Sequence, residues 1–223
     1  MHPPPSLTYG FIALTLLTAW WFYRLTGSRA VVGIGFVFWL AVHGVLAYRG
    51  FYGVTDTLPP RLALVMGPML VLALATGFSS LGKTLRADLN LTHIHYFHGI
   101  RILVEVVFLH GLFTAGLVAE VVTYTGQNID LLAGITGPLV GLLVFRQGWL
   151  SPTYAIVWNF VGMVSLGWTV SRAVLSAPSP YQQYGFEQPT LAIFYFPFIW
   201  LPALVAPLMV WAHCLALGRL LRP

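Results

Sequence analysis

The run AVVGIGFVFWLAVHGVLAY occupies residues 30–48 and contains no Asp, Glu, Lys or Arg. A helix of this length extends about 28 Å at 1.5 Å per residue. The hydrocarbon core of a bilayer is about 30 Å thick, so a spanning helix needs about 20 apolar residues. This run therefore predicts a transmembrane helix.

Six other stretches have the same character, and together the seven use most of the chain. The predicted spans are 7–23, 30–48, 61–81, 95–122, 131–145, 153–174 and 190–217. No stretch is left over for a soluble domain. The sequence predicts an all-α protein, a single domain over 1–223 that forms an integral membrane bundle of seven transmembrane helices.

The amino-acid composition also indicates a membrane environment. Of the 223 residues, 58% are hydrophobic and only 8% are charged, whereas about 25% of a soluble domain is charged. These values exclude a soluble enzyme, a disordered chain and a nucleic-acid-binding domain. The partners expected are membrane lipids, with a homo-oligomer or a larger membrane complex as further possibilities. The one cysteine excludes a disulfide framework and any Cys-rich metal site.

Basic residues indicate the orientation. Seven lie in the loops after spans 1, 3 and 5 or in the C-terminal tail, against three on the other side. The first set is Arg24, Arg29, Lys83, Arg86, Arg146, Arg219 and Arg222; the second is Arg49, Arg61 and Arg172. The positive-inside rule then predicts an external N-terminus and a cytoplasmic C-terminus, as in a multi-pass protein of a bacterial inner membrane. The N-terminus lacks the basic segment of a signal peptide, so the first span is expected to be retained.

The fourth predicted span contains the main candidate functional residues. It opens with LTHIHYFHGIR at residues 91–101, and Glu105 follows. At 100° per residue, His98, Arg101, Glu105 and Glu120 fall within a sector of about 100°. Charged groups inside a span are costly unless paired, so they are functional candidates. Arg101 and Glu105 are the candidate catalytic residues, although an i, i+4 pair that only neutralises itself explains them equally well.

Histidines on different spans suggest a cofactor. His98 and His213 are expected at one level, with His95 nearby, and His43 and His110 at a second level. They could hold haem, or zinc, iron or copper with help from Glu105. The alternative is that these histidines hydrogen-bond across helices as polar contacts. On the outer side, Glu120, Asn128, Asp130 and Glu187 are expected to form a polar lid that contacts a ligand.

The fifth and seventh spans are irregular. Gly137 and Gly141 form a G-x-x-x-G pair next to Pro138, which favours close helix packing over a broken helix that lines a transport site. Pro197, Pro202 and Pro207 predict kinks in the last span. This span contains no lysine, which excludes a rhodopsin-like retinal linkage.

The runs HGIRILVE (98–105), TGQNID (125–130), APSPYQQ (177–183) and YFPFIWLP (195–202) resemble an uncharacterised family of bacterial multi-pass membrane proteins. That resemblance implies no activity. Three functions therefore stay open: a protein that binds haem, a metal or a quinone-like cofactor for redox or metal-dependent membrane chemistry; a small-solute or proton-coupled transporter or receptor; and a non-catalytic subunit of a membrane complex.

Overall fold

The computed structural model describes residues 3–221, and this part of the chain is helical without any β-strand. The helices are α1 (Pro5–Leu25), α2 (Ala30–Tyr48), α3 (Ala63–Phe78), α4 (Lys83–Ala87), α5 (Leu91–Thr114), α6 (Asp130–Val140), α7 (Pro152–Leu175) and α8 (Leu201–Leu221). Short 3₁₀ turns occur at Phe51–Gly53, Ser80–Gly82, Glu120–Val122 and Ala192–Phe194. The all-α prediction is confirmed.

Four of these helices, α2, α5, α7 and α8, are long and apolar enough to cross a membrane. A fifth crossing results if α3 is joined to the segment Ser80–Ala87, which bends away from it by 81°. The seven predicted spans are therefore supported in part.

Two predicted boundaries were wrong. The fourth span ends at Thr114 and not at residue 122, because the chain leaves the helix there and forms a separate 3₁₀ turn at Glu120–Val122. The seventh helix begins at Leu201 and not at 190. Glu120 therefore does not share a helix face with His98, Arg101 and Glu105.

Two helices contain a π-helical turn and a third is followed by one; the wider winding of these turns changes the angle between successive side chains. They lie at Val104–Leu109 in α5, at Gly141–Arg146 after α6 and at Leu201–Val205 in α8. The first begins one residue before Glu105, and π turns often occur at functional sites.

α8 is the central helix of the bundle. Nearly all of its side chains are buried, and it packs against α3, α7 and α5. Aromatic rings link it to α1, since the rings of Phe22 and Trp211 lie 5.0 Å apart. In contrast, the outer faces of α2 and α7 expose large apolar side chains such as Val37 and Val164.

α6 packs tightly against α5 through a stripe of glycines. A Cβ at Gly137 would lie 2.9 Å from the His98 Cβ, and one at Gly141 would lie 2.8 Å from the Thr92 backbone oxygen. A Cβ at Gly134 would lie 3.0 Å from the Arg101 Cβ. The close-packing interpretation of the G-x-x-x-G pair is confirmed, and this packing brings α6 next to the charged part of α5.

Candidate functional site

A buried ion pair lies at the centre of the bundle. The Arg101 Nη1 on α5 donates to the Asp130 Oδ1 at the start of α6 over 2.9 Å, and the two side chains are only 2% and 3% exposed. The Ser165 hydroxyl on α7 donates to the same Asp130 oxygen at 2.8 Å. Three helices are thereby joined by one carboxylate. Asp130 also lies in the first turn of α6, where the helix dipole favours a negative charge.

The other terminal nitrogen of Arg101 binds α8. Its Nη2 lies 2.9 Å from the His213 Nε2. Because a guanidinium can only donate, this ring nitrogen must accept, and the proton of the neutral ring is on Nδ1. His213 Nδ1 accordingly donates to the Asn159 Oδ1 at 2.8 Å.

The chain of hydrogen bonds continues from Asn159 to the start of α5. The Asn159 Nδ2 donates to the His95 Nε2 at 3.0 Å, and the His95 Nδ1 donates to the Leu91 backbone oxygen at 2.6 Å. From Arg101 through His213, Asn159 and His95, every residue donates to the next. The two histidines therefore act as polar contacts between helices.

Glu105 lies beside the ion pair but is not bonded to Arg101. The Asn128 Nδ2 donates to its Oε2. The Asn128 Oδ1 in turn accepts from the Thr169 hydroxyl at 2.7 Å and from the Asp130 backbone N–H at 2.8 Å. Asn128 thus fixes Glu105 and Asp130 relative to each other. We name Arg101, Glu105, Asn128, Asp130, Ser165 and His213 the Arg101 cluster.

His98 is fully buried and has a different environment. Its ring stacks on that of His213, with centroids 4.1 Å apart, and lies 5.1 Å from the Trp158 ring. The prediction that His98 and His213 share a level is confirmed. Neither ring nitrogen of His98 has a hydrogen-bond partner.

A cavity of about 80 Å³ reaches the cluster. Its charged lining groups are Arg101, Glu105 and Asp130, while the rest of the lining is apolar apart from Thr169 and Thr190. The Arg101 Nε is buried without a hydrogen-bond partner. Glu105 is engaged at Oε2 only. The lining of the cavity therefore includes a cation with one unpaired N–H and a carboxylate whose second oxygen is free of hydrogen bonds.

Another histidine, His43 on α2, pairs with Tyr52 in the 3₁₀ turn that follows this helix. Its Nδ1 lies 2.5 Å from the Tyr52 hydroxyl, and its ring packs edge-on against Trp39. Burial raises the pKa of Tyr52 to about 12, so the phenol remains a donor at neutral pH. His110 does not join this pair; its ring lies 5.1 Å from that of Tyr124.

The four residues predicted for an outer lid fall into a buried pair and an exposed pair in the structure. Asn128 and Asp130 are buried in the Arg101 cluster, whereas Glu120 and Glu187 are exposed. The lid interpretation was wrong for the first two because α6 begins inside the bundle. The i, i+4 pairing of Arg101 with Glu105 was also wrong, since Asp130 is the carboxylate bonded to the guanidinium.

Sequence reasoning missed four residues on α7: Trp158, Asn159, Ser165 and Thr169. A signal for them exists, because the buried positions 155, 159, 162, 165 and 169 repeat every three or four residues and are small or polar. In membrane helices such stripes mark contacts with a neighbouring helix.

The predicted metal ligands do not form a cluster in the described part of the chain. Within residues 3–221, no group of three or more His, Cys, Asp or Glu side chains is arranged to hold a metal ion. Both ring nitrogens of His95 and of His213 are already engaged in hydrogen bonds. Of these three predicted ligands, His98 alone has both ring nitrogens without a partner.

The chain belongs to a family described as a domain of unknown function (DUF8737), whose model matches residues 58–221. The matched part contains the whole Arg101 cluster and leaves α1, α2 and the His43–Tyr52 pair outside. No curated protein and no solved structure matches this chain.

Proposed function

We propose that the protein is a seven-helix integral membrane protein that binds a quinone-like ligand at the Arg101 cluster, for redox chemistry in the membrane. The observation that carries this proposal is the cavity, whose lining is mostly apolar and includes the charged residues Arg101, Glu105 and Asp130. Ligand sites are commonly apolar with a few placed polar groups that orient the ligand.

The membrane arrangement is supported by where apolar and basic groups lie. Val37 and Val164 are each more than 70% exposed on the outer faces of α2 and α7, which suits contact with lipid tails. Arg29 pairs with Asp88 at 2.9 Å, and the Arg219 Nη1 donates to the Arg86 backbone oxygen at 2.6 Å. Arg29, Arg86 and Arg219 therefore lie at the end of the bundle that the positive-inside rule assigns to the cytoplasm.

The charged groups in the cavity lining complement a quinone ring. A quinone carbonyl can accept from the Arg101 Nε–H, which has no other partner. A quinol hydroxyl can donate to the Glu105 Oε1, since Asn128 occupies only Oε2. A hydrogen bond to a charged group contributes about 1.5–3 kcal/mol, so both contacts are strong enough to orient a ring.

Haem or metal ligation by the histidines has less support. His213 and His95 would have to give up hydrogen bonds that hold Arg101, Asn159 and the start of α5 in place. Breaking buried hydrogen bonds costs about 1–3 kcal/mol for each group left unpaired. We therefore favour the quinone-like ligand.

The test is ligand binding by the purified protein in lipid nanodiscs. A benzoquinone with a ten-carbon tail should bind the wild type, and an organic extract of the preparation should contain a redox-active quinone. Arg101→Gln and Glu105→Gln should each weaken binding by about tenfold or more, as expected for a lost hydrogen bond to a charged group. Arg24→Gln, at an exposed position on α1, should bind as the wild type does. Absence of wild-type binding, or equal binding by Arg101→Gln, would refute the proposal.

Proton-coupled transport of a small solute is the second candidate. It is favoured by Glu105, which lines the cavity while Asp130 takes the bond from Arg101. A carboxylate placed in this way could exchange a proton with the cavity. The test is uptake of a small solute by proteoliposomes under a pH gradient. Uptake that is lost in Glu105→Gln and kept in Arg24→Gln would support transport over redox chemistry. If the variants alter only melting and oligomeric state, a structural subunit of a larger membrane complex is the better description.

A further inference from the structure

The cavity at the Arg101 cluster lies between two helices that do not close against each other. α3 and α7 both pack against α8, but they have no extensive contact with one another. Leu62 and Met66 form the wall at the start of α3, and Val170 and Val174 form the wall on α7. A gap therefore runs from the bundle surface to the buried charges.

The polarity of the gap changes with depth. Met66, Val170 and Val174 are apolar and only partly buried, so they form the mouth. Arg101 and Asp130 at the deep end are at most 3% exposed. A ligand that enters here passes apolar side chains before it reaches a charge. This order suits a molecule dissolved in the hydrocarbon of a membrane, because a strongly hydrated solute would lose its water without compensation.

A second cavity of about 200 Å³ adjoins the mouth and shares Leu62, Met66 and Val174 with the first. It extends toward Arg61 and Tyr181, which lie in loops that flank α3 and α7. These loops belong to the end of the bundle opposite the Arg29–Asp88 pair. The mouth therefore lies in the outer half of the bundle, just below a rim that carries an arginine and a tyrosine.

We infer that the ligand of the Arg101 cluster is a lipid-borne amphipath that enters sideways from the outer membrane leaflet, between α3 and α7, with its polar ring against Arg101 and its hydrocarbon tail in the mouth. This inference rests on the proposed function and adds the ligand's source, route and orientation. It distinguishes a lipid-borne ligand from a water-soluble one that descends through the loops.

The experiment uses the benzoquinone with a ten-carbon tail that ends in a photoreactive diazirine, added to the protein in nanodiscs. After illumination, mass spectrometry should locate the label on peptides that contain Met66 or Val174. Val174→Trp, which fills the mouth, should slow association of the probe by about tenfold, within the range over which mutations of one binding site change association rates. Val174→Ala should leave association as fast or faster. Val164→Trp, on the exposed lipid face of the same helix, should leave the rate unchanged.

The outcomes separate the two proposals. If the wild type binds no quinone probe, the proposed function fails, and the lateral route, which rests on it, is overturned with it. If the probe binds with Arg101 dependence but labels the loops near Thr55 and Ser179, the lateral route is overturned. The lateral route would also be overturned if Val174→Trp bound the probe with the wild-type association rate and affinity. The probe would then enter the site without passing the mouth.

Discussion

Replacing Asp130 by asparagine tests how strongly burial affects the central ion pair. The substitution keeps the size of the side chain but leaves the Arg101 guanidinium, 2% exposed, without its carboxylate. Removing one partner of a buried pair costs about 3–5 kcal/mol, because an uncompensated charge stays behind. For a chain of about this length, each kcal/mol lowers Tm by roughly 2–4 °C. The expected loss is therefore roughly 6–20 °C, measured by thermal unfolding in nanodiscs.

The protein contains a matched control for this prediction. Arg29 and Asp88 form an ion pair with the same 2.9 Å separation, but their side chains are 36% and 60% exposed. Exposed pairs contribute about 0–1 kcal/mol, so Asp88→Asn should lower Tm by no more than roughly 4 °C. A double variant, Arg101→Met with Asp130→Leu, should recover part of the loss, since neither member of the pair is left buried without its partner. Equal Tm losses in Asp130→Asn and Asp88→Asn would refute the reasoning.

Two further predictions concern packing and pH. Gly137→Ala should destabilise the protein by about 1–3 kcal/mol through overpacking, because the added Cβ would lie 2.9 Å from the His98 Cβ. Gly167→Ala, whose Cβ would meet nothing within 4 Å, should be neutral or stabilising in the same thermal assay. A neutral Gly137→Ala would contradict the α5–α6 contact. For Tyr52, burial raises the pKa from 10.0 to about 12, so the folded state holds the phenol proton more tightly: this stabilisation is present below pH 10 and is lost as the pH rises through 12. Tyr52→Phe should therefore reduce the alkaline decrease in Tm, while Tyr9→Phe, an exposed position, should leave the decrease as in the wild type.

Much of the architecture follows from local patterns in the sequence. Residues 30–48 predict α2 at the bounds that the structure has, because a long run without charges has few competing structures. The glycines of α6 predict close packing for a similar reason, since only small residues allow backbones to approach. The end of α5 was harder to predict: the apolar run continues to residue 122, but Gly116 takes a φ of +76° after Thr114 and the helix stops.

The partners of Arg101 could not be read from one helix. Periodicity places Arg101 near Glu105 on α5, but the guanidinium turns to Asp130, 29 residues later in the chain, and to His213, 112 residues later. Those contacts depend on how α6 and α8 pack against α5, which a pattern within α5 does not encode. The π turn at Val104–Leu109 adds to the difficulty, because a spacing of 100° per residue does not hold there.

The hydrogen-bond chain from Arg101 to Leu91 has one direction only, and both of its ends set it. Histidine rings and an asparagine amide can each be turned around with little change in shape, so a chain built from them alone would have two arrangements of similar energy. A guanidinium cannot accept a hydrogen bond, and it sits at the first position, bonded to His213. The Leu91 backbone oxygen at the last position can only accept, and the Asn159 amide is held by its donation to the Ala155 backbone oxygen. The reversed arrangement is therefore removed at both ends, and a single tautomer is left for both rings. Arg101→Gln should keep these tautomers, so the ring NMR signals of His95 and His213 should each remain a single set; split ring signals would show that Arg101 alone had fixed the direction.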